Sequence, residues 1–522
     1  MFLAIEAGLT VLALVLAFTV PNLGSRWFEA IEKSFGKLAR RRGLSVTVVG
    51  LTALSLRAAL LPILPIPQPL VMDEFAYLLG ADTFAHGRLT NPTPPMWTHF
   101  ESLMIIVRPT YNSKYPPAQT LFLAFGQVVL GHPFWGVWLS VGLMCAAITW
   151  MLQAWVGDGW ALLGGFLAVI RFGTFNYWNN SYYGGAVAAI GGALAIGALP
   201  RLKREHRVRN ALLMGLGLAI LANSRPYEGL VFSLPIAVAL FAWMLGKSRP
   251  PLSVSLRHVI LPICLLLGLT AAWMGYYNWR VTGNPLLLPY QVSQAQYDPT
   301  PYFLWQQEKP LPQYREAEMR DWQVHKLASF RSNKTLRGLF ASEIYKAVVL
   351  WLFFIGPLFT LVLITSPAGL PCGFSWRSLS VRSRFLVVAL GVSLLGAGLE
   401  AVYSAQYAAP MTCLFLAMVL LALRRLLSWR PSGKPAGLFL VRSVPCRRSA
   451  CFCCCSMLAR FCAKPGLHPK LDVRRFCLNC GDGPSVPWFL CDTRATPTTM
   501  GPARGAPSVS ACTTAPTLTG RR

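Results

Sequence analysis

The chain has 522 residues, of which 54% are apolar and 13% are charged, roughly half the charged share of a soluble domain. Its mean hydropathy is +0.46, and its apolar blocks are close to the roughly 20 residues that cross a bilayer as a helix. The formal charge of +28 suggests a nucleic-acid partner, but the basic residues cluster in short loops between apolar blocks, as the positive-inside rule requires. We therefore predict an all-α polytopic membrane protein that does not bind nucleic acid.

The first apolar block, Phe2 to Val20, contains Glu6 and has no basic residue before it. This pattern favours a spanning helix over a cleaved signal peptide. The basic stretch 25–43 that follows is predicted to be cytoplasmic. The next block, 44–64, then leaves the cytoplasm, so that residues 65–116 lie outside.

Four apolar blocks follow before the basic stretch RLKREHRVR at 201–209, namely 117–131, 134–154, 160–174 and 184–200. Passing from outside to inside takes an odd number of crossings, so one block does not span. The shortest block, 117–131, follows Pro116-Pro117 and is predicted to lie along the membrane as an interfacial helix. About 11 helices then span the membrane. The outer side holds residues 65–133, FNYWNNSYYGG (175–185), NSRPYEGL (223–230), residues 278–343 and YSAQYAAP (403–410).

The chain changes character near Ser443, and residues 431–522 hold 10 of the 14 cysteines. Cys477 and Cys480 with His468 resemble half a zinc site, but no second pair with ligand spacing follows. We favour the interpretation that GLFLVRSVP (437–445) begins another membrane helix and that the sequence then enters a wrong reading frame. Residues 1–430 are therefore predicted to form the membrane domain, and 431–522 a disordered or frameshifted tail without function.

Two of the chain's 20 acidic residues, Asp73 and Glu74, lie side by side after the proline-rich PILPIPQP. The residues that follow have helical spacing. One interpretation makes Asp73 a helix N-cap, worth about 1 kcal/mol. The other makes it a general base that takes a proton from an acceptor hydroxyl at the membrane surface, a role that contributes roughly 10²- to 10⁴-fold.

Three basic residues belong to the same outer layer, namely Arg108, Lys114 and Arg225. A lipid-linked phosphate at the bilayer edge needs such partners, with Arg suited to bidentate contact and Lys to a point charge. The alternative is that each one snorkels to lipid headgroups. Arg225 and Glu228 lie between two apolar blocks, where ionisable residues form a structural pair or belong to a site.

With these residues in view, the chain resembles the GT-C membrane glycosyltransferases, which include protein O-mannosyltransferases and the bacterial aminoarabinose transferases of lipid A. The resemblance covers roughly residues 44–425. It rests on Asp73-Glu74, on KYPPAQ (114–119), on the short basic inner loops and on a polar loop before the last helices. The chain is most similar to uncharacterised bacterial members placed with lipopolysaccharide-core sugar transferases. This resemblance implies a helical bundle with an outer-face cavity formed by the first large loop and juxtamembrane helices.

The resemblance implies an enzyme of the bacterial inner membrane with its active site on the periplasmic face. It would move a sugar, with inversion, from a polyprenyl-phosphate donor to a hydroxyl of a lipid, glycan or protein. Asp73 would be the base, and Glu74 would support it or contact a divalent cation, while no other cofactor is implied. Lys114 would contact the donor phosphate. The further substrate-binding residues expected are Arg108, Tyr115, Asn180, Arg225, Glu228 and Gln406.

The chain also departs from the family pattern. Many members carry a second acidic residue on the next outer turn, where this chain has Asn179 and Asn180. The residue before the acidic pair is Met72, and the late outer loop has Gln406, so neither position supplies a histidine. A catalytically inactive GT-C-like protein therefore stays open as an alternative, as does a transporter, although the polar residues gather on one side and no internal repeat is evident.

Overall fold

The computed structural model describes residues 2–246, 249–365 and 376–445. The tail with its cysteine pair, residues 446–522, lies outside the described residues. The helices, in chain order, are α1 (Phe2–Thr19), α2 (Ser25–Arg40), α3 (Arg42–Ala59), α4 (Met72–Ala85), α5 (Pro117–Leu130), α6 (Phe134–Trp155), α7 (Asp158–Phe172), α8 (Ala186–Glu205), α9 (Val208–Ala222), α10 (Pro226–Leu245), α11 (Leu252–Thr282), α12 (Pro289–Tyr297), α13 (Ala317–Ser332), α14 (Leu336–Ile355), α15 (Gly356–Thr365), α16 (Val381–Gly398), α17 (Ala405–Leu426) and α18 (Ala436–Pro445).

Seven helices within the described ranges are long and apolar enough to cross a membrane, namely α6, α8, α10, α11, α14, α16 and α17. The chain is therefore mostly α-helical with several candidate membrane spans. The predicted spans 2–20, 44–64 and 160–174 also fold as helices, but α7 has only 15 residues, or about 22 Å at 1.5 Å per residue. The α3 helix carries Arg42 and Arg57. The count of eleven spans stays a prediction.

The candidate spans form an inner and an outer layer. Most of the side chains of α6, α8 and α17 are buried, whereas those of α10, α11 and α14 mostly face outward. The inner layer packs closely because α8 is built from glycine and alanine at small-xxx-small spacing. A Cβ at Gly192 would lie 2.0 Å from the carbonyl oxygen of Pro410, and one at Gly197 would lie 2.7 Å from the Trp150 ring.

A short hairpin positions the KYPPAQ segment. Strand β1 (Ile105–Ile106) pairs antiparallel with β2 (Asn112–Ser113), with Ile106 opposite Asn112. Lys114 and Tyr115 follow β2 directly, and α5 begins at Pro117, where proline is well tolerated because a first-turn N–H has no helical partner. The hairpin thus delivers these two side chains beside the start of α4, which packs against both β2 and α5.

Counting membrane crossings between the basic inner loops (charge parity) assigns five segments to the outer side, and these segments contact one another. The amide N–H of Tyr182 reaches Glu74, and the Ala118 N–H donates to the carbonyl of Asn223 at 2.9 Å. The Thr110 hydroxyl donates to the carbonyl of Val281 at 2.7 Å. Tyr177 donates to Gln406 at 2.7 Å. These segments therefore share one end of the helix bundle.

The packed helices continue beyond the predicted domain boundary at 430. The segment GLFLVRSVP is helical, as predicted, and forms most of α18. Its Leu440 and Val444 are fully buried in the core, and its Arg442 makes a two-pronged contact with Glu32 of α2, with both nitrogen–oxygen distances 2.9 Å. The first part of the predicted tail is therefore a structural element.

Candidate functional site

Asp73 lies at the second position of α4 and does not cap the helix. The helix begins at Met72, and the cap position is occupied by Val71. The Tyr115 hydroxyl donates a hydrogen bond to Oδ1 of Asp73. No residue in the described ranges donates to Oδ2. The half-exposed carboxylate thus has one oxygen held by the protein and one available to accept a proton.

Glu74 performs the capping that the sequence pattern suggested for Asp73. Its Oε2 accepts hydrogen bonds from the backbone N–H groups of Leu70, at 2.7 Å, and Val71, at 3.2 Å. Its Oε1 accepts from the N–H of Tyr182 at 3.0 Å. Burial raises the pKa of Glu74, while these backbone donors oppose the increase. Because both oxygens are engaged by N–H groups, Glu74 is poorly suited to hold a cation and instead joins α4 to the Tyr182 turn.

A buried arginine supports the same turn. Arg57 is fully buried at the end of α3 and donates to the carbonyls of Leu64, at 2.9 Å, and Asn179, at 3.4 Å. Its guanidinium also lies over the Phe134 ring, 4.8 Å from the centroid. These contacts fix the segment before α4 and the 175–185 turn against each other, which holds Glu74 within reach of Tyr182.

Tyr115 connects the carboxylate to an aromatic stack. Its ring is parallel to that of Tyr77, with centroids 4.5 Å apart. Burial and the negative charge of Asp73 raise the pKa of Tyr115 well above its ordinary value. The hydroxyl therefore keeps its proton at neutral pH and acts only as a donor to Asp73 or a weak acceptor.

Lys114 is a cation whose charge interacts with the carboxylate of Asp73. Its half-buried Nζ lies 5.4 Å from the centroid of the Tyr115 ring. Burial and the charge of Lys326 lower the pKa of Lys114 to about 8, while Asp73 and Asp298 oppose this decrease. Asp298 and Lys326 form an ion pair with each other. The first large loop and the 278–343 loop thus bring their charges to one place.

Arg225 and Glu228 form the structural pair that the sequence left open. Their charged groups are 3.8 Å apart and largely buried. The Arg225 guanidinium lies over the ring of Tyr407, 4.6 Å from its centroid. Glu400, which follows α16, is affected by the charges of this pair. Burial and the carboxylate of Glu228 raise the pKa of Glu400 well above its ordinary value. The charge of Arg225 also acts on Tyr77, so this pair borders the Asp73–Tyr115 cluster.

Three of the predicted binding residues have other partners. Arg108 is exposed and stacks on Trp97, with the guanidinium 3.7 Å from the ring centroid. The amide of Asn180 donates to the carbonyls of Thr174 and Asn176 within its own turn. Gln406 accepts hydrogen bonds from Tyr177 and Ser404. The structure therefore gives Asn180 and Gln406 roles in holding the outer turns, and it places Arg108 on a separate cluster.

Three site residues, Tyr77, Tyr407 and Lys326, belong to no motif of the sequence. Tyr77 lies one turn after Asp73 on α4, whereas Tyr407 and Lys326 reach the site from segments distant in sequence. Tyr407 is the neighbour of Gln406, a predicted substrate-binding residue. The residue of this segment that contacts Arg225 is Tyr407. An expectation that buried arginine stacks on aromatic rings would have favoured Tyr407.

The cluster combines the Asp73 carboxylate, which has a free oxygen, with the Tyr115 phenol that orients it and with the cations Lys114 and Arg225. Such a set can accept a proton from a hydroxyl and stabilise an anionic leaving group. Within the described ranges, no group of three or more His, Cys, Asp or Glu side chains is placed to hold a metal ion. The chain matched no protein-family model, no curated protein and no solved structure.

Proposed function

We propose that the chain is a membrane glycosyltransferase with about eleven spans that acts on the outer, periplasmic face of a bacterial inner membrane. Its donor would be a sugar linked to a polyprenyl phosphate, and its acceptor a hydroxyl of a lipid, glycan or protein. The observation that carries this proposal is the hydrogen bond between Tyr115 and Asp73, with Lys114 beside it. These residues come from the two motifs on which the family resemblance rests.

The proposed reaction is a single displacement. The acceptor oxygen attacks the anomeric carbon as its proton moves to Oδ2 of Asp73. The bond between that carbon and the donor phosphate oxygen breaks, so the configuration inverts and polyprenyl phosphate leaves. Lys114 neutralises the charge that develops on this phosphate. Arg225 contributes less, because Glu228 already balances its charge.

A narrow apolar cleft lies beside the motif. Pro116 and Pro117 line it on one side, and Pro226, Tyr277 and Tyr290 line it elsewhere. It has room for about one water molecule. A prenyl chain would therefore have to widen the cleft, or lie along the apolar helix α11, for its phosphate to be near Lys114.

The test is a transfer assay with the full chain in membranes. A panel of radiolabelled polyprenyl-phosphate sugars is added, and release of free polyprenyl phosphate is measured. We expect release with at least one donor and a loss of about 10²- to 10⁴-fold in Asp73→Asn. Asp82→Asn, an exposed change on the same helix, is the matched control and should keep full activity.

The assay can also contradict the proposal. Undiminished release by a correctly inserted Asp73→Asn would remove Asp73 from the mechanism. No release from any donor, with the wild-type chain inserted and folded, would favour an inactive GT-C-like protein. Accumulation of an intact donor or another solute across the membrane would favour a transporter.

A further inference from the structure

Helix α2 has one face that packs against the protein. Phe28, Glu32, Phe35 and Ala39 recur at helical spacing along this face. Glu32 pairs with Arg442, and the Phe35 ring contacts the Phe166 ring with centroids 6.0 Å apart. These contacts fix the rotation of α2 about its axis, so the remaining faces point away from the bundle.

A second side of α2 carries exposed apolar residues. Trp27 and Ile31 are four residues apart and expose 78% and 49% of their surface, and Leu23, in the turn before the helix, exposes 54%. Val15 and Phe18, near the end of α1, are also exposed. An exposed indole ring is typical of the membrane–water boundary. Exposed apolar side chains thus lie on both sides of the turn that joins α1 to α2.

A third stripe on α2 is basic. Arg26, Lys33 and Lys37 are seven and four residues apart, which brings them onto one side of the helix. All three are exposed, and none forms an ion pair within the part of the chain that the structure describes. The three cations therefore form no ion pair with the acidic residues that the structure describes, although Glu29 lies on the same side of the helix.

We propose that α2 lies in the plane of the membrane surface and binds the phosphate headgroups of an anionic lipid leaflet. Trp27 and Ile31 would enter the boundary between headgroups and acyl chains, and Arg26, Lys33 and Lys37 would contact the phosphates. A soluble acidic protein would satisfy the cations but would leave the exposed Trp27 and Ile31 in water. The inference does not depend on sugar transfer.

The test measures hydrogen exchange of the full chain in nanodiscs of phosphatidylcholine, with or without phosphatidylglycerol. We expect the anionic lipid to slow exchange across residues 25–40 by at least about tenfold. High salt should remove this protection in the wild type, because it screens charge. This arm needs no variant, so it does not depend on a mutant folding.

Two triple variants, each of which removes three positive charges, test the role of Arg26, Lys33 and Lys37. Arg26→Gln/Lys33→Gln/Lys37→Gln should lose the response to phosphatidylglycerol. Lys309→Gln/Arg320→Gln/Arg337→Gln removes three exposed cations elsewhere and should keep it. Equal protection in both lipid compositions, or an unchanged response in the α2 variant, would overturn the proposal. Protection by a soluble polyglutamate peptide that matches that of the anionic nanodiscs would overturn it in favour of a protein partner.

Discussion

Asp73 and Glu74 are neighbours with the same ionisable group, yet their surroundings differ. Glu74 is buried and accepts three backbone hydrogen bonds. Asp73 is half-exposed and accepts one, from a phenol that keeps its proton. A carboxylate surrounded by backbone donors is a structural element, while one with a free oxygen can take part in chemistry.

Removing the phenol should weaken the proposed base. In Tyr115→Phe the ring stack on Tyr77 remains, but Asp73 loses the hydrogen bond that orients it. A hydrogen bond to a charged group is worth about 1.5–3 kcal/mol, so we expect kcat/KM for sugar transfer to fall by about 10- to 100-fold. Tyr77→Phe makes the same chemical change one ring away and should stay near wild type. Equal losses in the two variants would show that the effect is not specific to Asp73.

The charge of Lys114 should give donor binding a distinctive pH dependence. Its pKa lies at about 8, so the ammonium is present below this pH and is lost above it. We expect the KM for the polyprenyl-phosphate donor to rise about tenfold between roughly pH 7 and pH 9. Lys114→Arg stays charged over this range and should show no such rise. A wild-type KM that does not change with pH would separate Lys114 from the phosphate.

At the scale of elements, the site depends on how closely α5 approaches α6. A Cβ at Gly136 would lie 1.9 Å from the carbonyl oxygen of Phe122, and one at Gly126 would lie 2.2 Å from the Gly136 nitrogen. Both neighbours are backbone atoms, which cannot rotate away. These two glycines therefore let α5 cross α6, and α5 carries the Lys114–Pro117 segment at its start.

An alanine at this crossing should separate the two helices. For Gly136→Ala we expect a loss of about 1–3 kcal/mol in stability from overpacking, together with reduced transfer activity. Gly268→Ala, in α11, meets no atom within 4 Å and should be neutral or slightly stabilising, because alanine favours a helix by about 1 kcal/mol over glycine. Thermal unfolding in detergent compares the two. Equal stability of both variants would contradict the crossing geometry.

At the scale of the whole molecule, charge parity and packing agree. Parity assigns five segments to the outer side, and hydrogen bonds or ring contacts join these segments into one network. Segments on opposite sides of a bilayer would be separated by about 30 Å of hydrocarbon. Their contacts therefore favour a common side, although the membrane position itself stays a prediction.

Lysine labelling tests this topology without any mutation. A membrane-impermeant acylating reagent applied to intact spheroplasts should modify Lys309, which is exposed in the 278–343 loop. It should reach Lys33 and Lys203 only after the membrane is permeabilised, because parity places both on the inner side. Peptide mass spectrometry reads out each site. Modification of Lys203 in intact cells would reverse the assignment.

Part of the site was readable in the sequence because its signals are local. The scarcity of acids drew attention to Asp73, and the Pro116-Pro117 pair marked the start of α5. The roles of the two acids could not be separated in this way, since Glu74 obtains one of its donors from a residue 108 positions away. The predicted roles of Asn180 and Gln406 met the same limit, because their amides hold turns that form only in the folded chain.

By itself, the sequence determined that the chain is mostly helical and has several helices long and apolar enough to cross a membrane, since runs of apolar residues act over a single helix length. Only the tertiary structure decided which polar groups meet. Tyr115 reaches Asp73, Arg225 reaches Tyr407, and the Lys326–Asp298 pair approaches Lys114 because closely packed glycine-rich helices bring distant loops to one end of the bundle. Such pairings depend on how helices pack, and no local pattern along the chain encodes them.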